Sequence, residues 1–145
     1  MKIFTIGFTR KSAEVFFTRL REARVRRLID VRLNNVSQLA GFSKRDDLRY
    51  FSKAICDIEY LHLADLAPTA EMLAGYKKQK DDWKAYERQF LDLMRARRIE
   101  VTLEPKNLDG GCLLCSEEKP QQCHRRLIAE YLQERWGNVE IEHIL

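Results

Sequence analysis

Cys112, Cys115 and Cys123, three of the chain's four cysteines, crowd into residues 112–123, and the last of them runs directly into His124 and Arg125. Thiol and imidazole groups at that spacing suit three kinds of chemistry: nucleophilic attack by a thiolate with histidine as proton acceptor, binding of a soft metal, or a disulfide. The segment Glu117 to Gln122 feeds Cys123-His124-Arg125-Arg126 into the first turns of an expected helix opened by Pro120. A helix N-terminus carries free N–H groups and partial positive charge, so it attracts an anion and lowers the pKa of a thiol. Cys123 is therefore the expected thiolate, and Cys115 gains reactivity if its sulfur faces the same cations. His124 is the candidate general acid or base, and Glu117 its opposite number or the group that orients it.

The metal reading meets a geometric objection. Cys112-x-x-Cys115 followed by Cys123-His124 supplies four zinc-type ligands. If 112–115 is a strand, however, Cys112 and Cys115 point to opposite faces. No metal and no cofactor is expected. Phosphatase chemistry fails too, because Gln121 and Ala129 stand where arginine would follow Cys115 or Cys123. Cys56 and Cys112 read as packing residues, and all four cysteines as thiols rather than disulfides in a reducing compartment. The same motif also fits a purely structural role, locking the sheet to its last helix.

These residues need strand ends and a helix start to hold them. Ile3, Phe4 and Ile6 read as a strand that Gly7 ends, and Ser12 as the cap of a helix burying Phe16, Phe17 and Leu20, with Arg19, Arg21 and Arg24 on its solvated face. Leu28 to Val31 reads as a second strand, and Arg32 to Lys44 as a long polar loop. A helix over Arg45 to Ala54 and a strand over Ile58 to Leu63 follow, with His62 a strand residue. Thr69 then caps a segment holding Met72, Leu73 and Tyr76. A helix from Asp81 to Ala96 buries Trp83, Tyr86, Phe90, Leu93 and Met94, while 99–103 fits either helix or strand. Cys112-Leu113-Leu114-Cys115, apolar on both faces, predicts a central strand. Leu127, Ile128, Tyr131 and Leu132 make one helical stripe, and 139–144, which includes His143, alternates as a last strand.

Alternating strands and helices predict an α/β fold: one domain over 1–145 with a mostly parallel sheet of about five strands and helices on both faces. Ligands of such folds collect beyond the carboxyl ends of the strands. Gly7, Arg10, Asp30, Arg32 and Arg125 are the candidate ligand-binding positions there, beside the candidate catalytic set Cys115, Glu117, Cys123 and His124. Asp30 equally suits a buried carboxylate paired with Arg32.

Composition narrows the classes of function. The 145 residues are 45% hydrophobic and 33% charged with six glycines and three prolines, which excludes disordered and low-complexity chains. No apolar run approaches the roughly 20 residues of a membrane span, and Met1 leads straight into strand-like residues, so a cytoplasmic protein is expected. The net charge of +4 permits an anionic partner without demonstrating a nucleic-acid surface.

Thr5-Ile6-Gly7, Asp30-Val31-Arg32, and above all Leu113-Leu114-Cys115-Ser116-Glu117 followed by Pro120 and Cys123-His124-Arg125, resemble the domain of unknown function 488 family (DUF488) over essentially the whole chain. Ser37-Gln38-Leu39-Ala40-Gly41-Phe42 and Leu66-Ala67-Pro68-Thr69 resemble one subgroup of it. The resemblance implies a small α/β domain of bacteria or archaea and supplies no reaction. Phe8 stands where similar sequences commonly carry histidine, and Cys112 lies outside the motif. The expectation is a strand-end pocket for a small anionic or nucleotide-like ligand with hydrolase or transferase activity. The alternative is a non-catalytic module that binds nucleic acid or another anionic partner through arginine-rich faces and the Arg32 to Lys44 loop.

Overall fold

The computed structural model of the chain describes residues 1–36, 41–78, 82–117 and 120–145. Five strands, β1 (Lys2–Gly7), β2 (Arg27–Asp30), β3 (Glu59–His62), β4 (Gly111–Cys115) and β5 (Glu140–Ile144), form a sheet of order β3-β2-β4-β1-β5. Every pairing in it is parallel. A parallel pair needs a crossover, and right-handed crossovers fix the face on which each connection lies. From β1 to β2 to β3 the chain steps toward one edge of the sheet, so α1 (Ala13–Glu22) and α2 (Arg45–Phe51) share one face. From β3 to β4 to β5 it steps the other way. The helices of those crossovers, α3 (Ala70–Lys78), α4 (Trp83–Arg97), α5 (Ile99–Thr102), α6 (Pro105–Leu108) and α7 (His124–Trp136), therefore belong to the opposite face.

The two cores follow this division. Phe16, Phe17 and Leu20 of α1 and Leu48 of α2 pack with Phe4, Ile6, Leu28, Cys112 and Leu114. Phe90 and Met94 of α4 and Leu127 and Ile128 of α7 pack with Ile3, Ile29, Val31, Leu113 and Cys115. Side chains of β4 alternate between the clusters, which puts Cys112 on one face and Cys115 on the other, as period-two alternation requires. All of β4 is buried, which accounts for its unbroken apolar run.

Local signals placed most boundaries. Ser12 Oγ accepts from the Val15 N–H at 3.2 Å, and Thr69 Oγ1 accepts from the Met72 N–H at 3.1 Å. α4 begins after Asp82, whose carboxylate accepts from the Ala85 N–H at 3.2 Å. The ambiguous segment at 99–103 is a helical turn, α5, followed by α6 with Pro105 in its first turn. One start is corrected: α7 does not open at Pro120. The Cys123 N–H donates to the Pro120 carbonyl at 3.2 Å in a separate turn, and Cys123, extended at φ −140°, is the residue before the helix. Ser37 to Ala40 of the subgroup segment, the expected helix start at Asp81, and Glu118 and Lys119 lie outside the described residues.

The connection leaving β4 goes to one face, while those leaving both of its neighbours, β1 and β2, go to the other. The carboxyl end of β4 is thus a topological switch point, where a crevice opens between diverging connections. Cys115 is its last residue. Among the described residues, no helix is long and apolar enough to cross a membrane.

Candidate functional site

Cys115 closes β4 opposite Gly7 of β1 in the parallel register. The chain leaves through Ser116 and Glu117, returns to Cys123, and enters α7, which packs on the face that carries Cys115. Strand end and helix start therefore meet, and the structure joins Cys115 and Cys123 in a disulfide. This corrects the expectation of four thiols. Compartment arguments say nothing about two sulfurs that the fold itself presses together. Cys56 and Cys112 are free, and burial pushes both thiols up from the ordinary cysteine value.

His124, buried on the first turn of α7, stands over this pair. Its Nε2 lies 2.7 Å from the Val31 carbonyl at the end of β2. A carbonyl only accepts, so the proton is on Nε2 and the lone pair is on Nδ1. That Nδ1 lies 3.8 Å from Cys115 Sγ. Burial lowers the His124 pKa to about 4, a fall that the Val31 hydrogen bond opposes and the Arg125 charge reinforces. The ring is neutral at physiological pH. It rests against Phe90, with centroids 5.4 Å apart.

Asp30 and Arg32 form the second part of the site. Asp30, fully buried, accepts from the Arg32 backbone N–H at 3.1 Å, from Nε at 2.9 Å and from Nη2 at 2.8 Å. The Tyr60 hydroxyl donates at 2.5 Å to Oδ2, the oxygen that also accepts from Nη2, and Asn35 Nδ2 in turn donates to that hydroxyl at 3.2 Å. Burial drives the Asp30 pKa upward, but the hydrogen bonds and charge of Arg32, aided by Tyr60, outweigh it and hold the carboxyl below its ordinary value. Arg32 Nη2 also donates to the Ser43 carbonyl at 2.8 Å, and the guanidinium sits 5.2 Å from the Phe8 ring centroid. Its remaining nitrogen, Nη1, is buried with no hydrogen-bond partner among the described residues.

A cleft of about 510 Å³ opens beyond these strand ends. Arg32, Cys115, Glu117, Cys123 and His124 line it on one side. Tyr76, Trp83 and Tyr86 form an aromatic wall, with centroids 5.7 Å apart for Tyr76 and Trp83 and 5.3 Å for the stacked Trp83 and Tyr86. The cleft therefore brings together the whole candidate catalytic set and Arg32. The other nominated positions lie outside its lining. Asp30 sits behind Arg32. Arg10 is exposed, at φ 62°. Arg125 is fully buried, and its Nη1 donates to the Glu117 carbonyl at 2.6 Å; burial lowers its pKa to about 10. Gly7 serves close approach, since a Cβ there would fall 1.6 Å from the Glu117 carbonyl oxygen. Arg126, also near the helix start, binds Glu130 at 3.0 Å and Glu87 at 3.5 Å.

The aromatic wall and Tyr60 went unnoticed in the sequence as site residues. Trp83 and Tyr86 carry the periodicity of a core stripe, and Tyr60 that of a strand. The one available signal was three aromatics clustered within 76–86 after Pro68, which also lines the cleft.

No match was found among curated proteins or among solved structures. The family model described as "Domain of unknown function DUF488" matches residues 12–132, which takes in Asp30 to Arg32, Cys115 to Glu117 and Cys123 to Arg125 and leaves Thr5-Ile6-Gly7 outside. The chain belongs to the DUF488 family.

Proposed function

We propose that the strand-end cleft binds a small ligand with an anionic group and a planar part, and that Cys115, in its dithiol form, attacks it with His124 as proton acceptor. The observation that carries this reading is the line from the Val31 carbonyl through the His124 ring to Cys115 Sγ, inside the cleft that Arg32 lines. The Val31 hydrogen bond sets the tautomer, so Nδ1 is the atom that receives the Cys115 proton as sulfur attacks. The leaving group departs with its electron pair and takes that proton back. Water then completes a hydrolysis, or a second acceptor completes a transfer. The buried Nη1 of Arg32 supplies a donor for a phosphate or carboxylate, and the face of Trp83 offers a stacking surface for a planar ring.

The alternative reading, a nucleic-acid module, draws on the exposed Arg19, Arg21 and Arg24. Arg32 does not serve it, being 5% exposed and held by Asp30. A concave site reached by one buried guanidinium suits a small ligand better than a polymer backbone.

Adenosine monophosphate, which combines an anion with a planar base, is a suitable probe on the reduced protein, with adenosine and inorganic phosphate as controls. The expected result is quenching of Trp83 emission in a Trp136→Phe background, together with slower iodoacetamide labelling of Cys115 read by peptide mass. In the absence of probe, His124→Ala should slow that labelling. A Cys115 that labels no faster than the core thiol Cys112, whatever stands at 124, would end the nucleophile reading. Duplex DNA binding that weakens steeply with salt, without protection of Cys115, would favour the polymer instead.

A further inference from the structure

We infer that, with both thiols reduced, Cys115, Cys123 and His124 bind one zinc-class divalent cation whose fourth position opens into the cleft. This goes beyond the proposed reaction, which belongs to the metal-free dithiol, and does not depend on it. The three donor atoms all lie within 4.8 Å of one another; Cys115 and Cys123 are buried, and His124 is 9% exposed. A tetrahedral zinc with ordinary zinc–sulfur and zinc–nitrogen bonds holds its sulfur and nitrogen ligands about 3.5 Å apart. Cys115 Sγ and His124 Nδ1 already stand at 3.8 Å.

The histidine is arranged as a ligand. Metal-binding imidazoles typically give their other ring N–H to a carbonyl or carboxylate, which fixes the tautomer and aims the lone pair. The Val31 carbonyl does this for Nε2 at 2.7 Å, and the freed Nδ1 lies against Cys115 Sγ. Two thiolates and an imidazole are soft to borderline donors, which favours zinc over magnesium or calcium. Cys112 takes no part, because it lies in the core on the opposite face of the sheet. The objection that excluded the set of three cysteines and one histidine therefore leaves this three-ligand set untouched. Three protein ligands and a solvent-facing fourth position characterise reactive zinc sites rather than closed structural ones. All three ligand residues line the cleft, as does Arg32, so an anion there can reach the metal and a guanidinium together. The disulfide and the metal compete for the same sulfurs: oxidation to the disulfide removes two ligands, and a bound metal holds both thiols reduced.

Anaerobic titration of the reduced, chelator-stripped full chain with cobalt(II) tests this. A thiolate-to-cobalt charge-transfer band should grow to saturation at one equivalent and vanish when zinc(II) is added. Cys112→Ser should leave it unchanged. Cys115→Ser and Cys123→Ser should each abolish it or shift and weaken it, and His124→Ala should weaken cobalt affinity at least about tenfold. Wild-type protein oxidised with diamide, its fold checked by far-UV circular dichroism, should show no band and regain it on reduction, an arm that needs no cysteine variant to fold. No band in the reduced wild type, or a band indifferent to oxidation or to both cysteine replacements, overturns the inference. Iodoacetamide labelling of the metal-free protein reports on the nucleophile separately, so either reading can fail while the other stands.

Discussion

Replacing Asp30 with asparagine tests the assembly that positions Arg32. The carboxylate accepts from three Arg32 nitrogens and from Tyr60, and both charged side chains are buried, at 0% and 5% exposure. Asparagine keeps one acceptor oxygen, which can still face the Arg32 N–H and Nε. Its amide nitrogen then confronts Nη2, donor against donor, and the guanidinium charge loses its partner. Breaking one side of a buried pair in this way costs about 3–5 kcal/mol, a large fraction of the roughly 5–15 kcal/mol that holds a domain folded. Asp30→Asn should therefore lower the urea midpoint sharply at pH 7 and lower Tm by about 6–20 °C. The pH dependence has a definite sign. The folded carboxyl titrates below its unfolded value, so its contribution is complete above the unfolded aspartate pKa of about 3.9 and is lost as pH falls through the lower, folded pKa. The stability gap between wild type and Asp30→Asn should be widest at pH 5–7 and should narrow toward pH 3. A gap under about 1 kcal/mol at pH 7, or one that stays constant down to pH 3, would refute the claim that the Asp30 carboxylate compensates the buried Arg32 charge.

Four further substitutions probe neighbouring parts of the fold. Gly7→Ala drives a methyl into the Glu117 carbonyl and should cost at least about 2 kcal/mol in chemical denaturation; Gly41→Ala, whose new methyl meets nothing within 4 Å among the described residues, should change stability by less than about 0.5 kcal/mol. Tyr60→Phe removes one donor from Asp30 and leaves Asn35 Nδ2 without its acceptor, so a loss of about 1–3 kcal/mol is expected, with Arg32 still bound to Asp30. Ser12→Ala removes the cap of α1 on the face remote from the cleft and should cost about 1 kcal/mol while Cys115 labelling is unchanged.

Strand and helix identities were readable because burial imposes two different periods. Phe16, Phe17 and Leu20 repeat at helical spacing because one side of α1 faces the sheet, while Cys112 to Cys115 run apolar throughout because both faces of β4 are covered. Strand order was not readable, since the hydrophobic pattern of β4 is the same whether it lies beside β1, beside β2 or, as here, between them. The start of α7 was misplaced because Pro120 carries a helix-opening preference. The extended backbone of Cys123, which precedes the helix, decides the matter.

The site divides along a similar line. Convergence of Cys115, Cys123 and His124 could be argued from a strand end and a helix returning to the same face, and the cleft contains all three. The group that makes His124 specific, the Val31 carbonyl, has no sequence signature because every residue carries one. The aromatic wall was hidden for a different reason. Trp83, Tyr86 and Phe90 keep one helical spacing along α4, yet Phe90 is fully buried against His124 whereas Trp83 reaches the cleft. One apolar stripe thus begins at the cleft and ends in the core, and periodicity cannot mark where solvent takes over from packing. Ring contacts run without a break from Trp83 through Tyr86 and Phe90 to the His124 imidazole, with centroids 5.3, 6.3 and 5.4 Å apart, so the ligand wall and the proton acceptor of the proposed reaction belong to one continuous row of side chains.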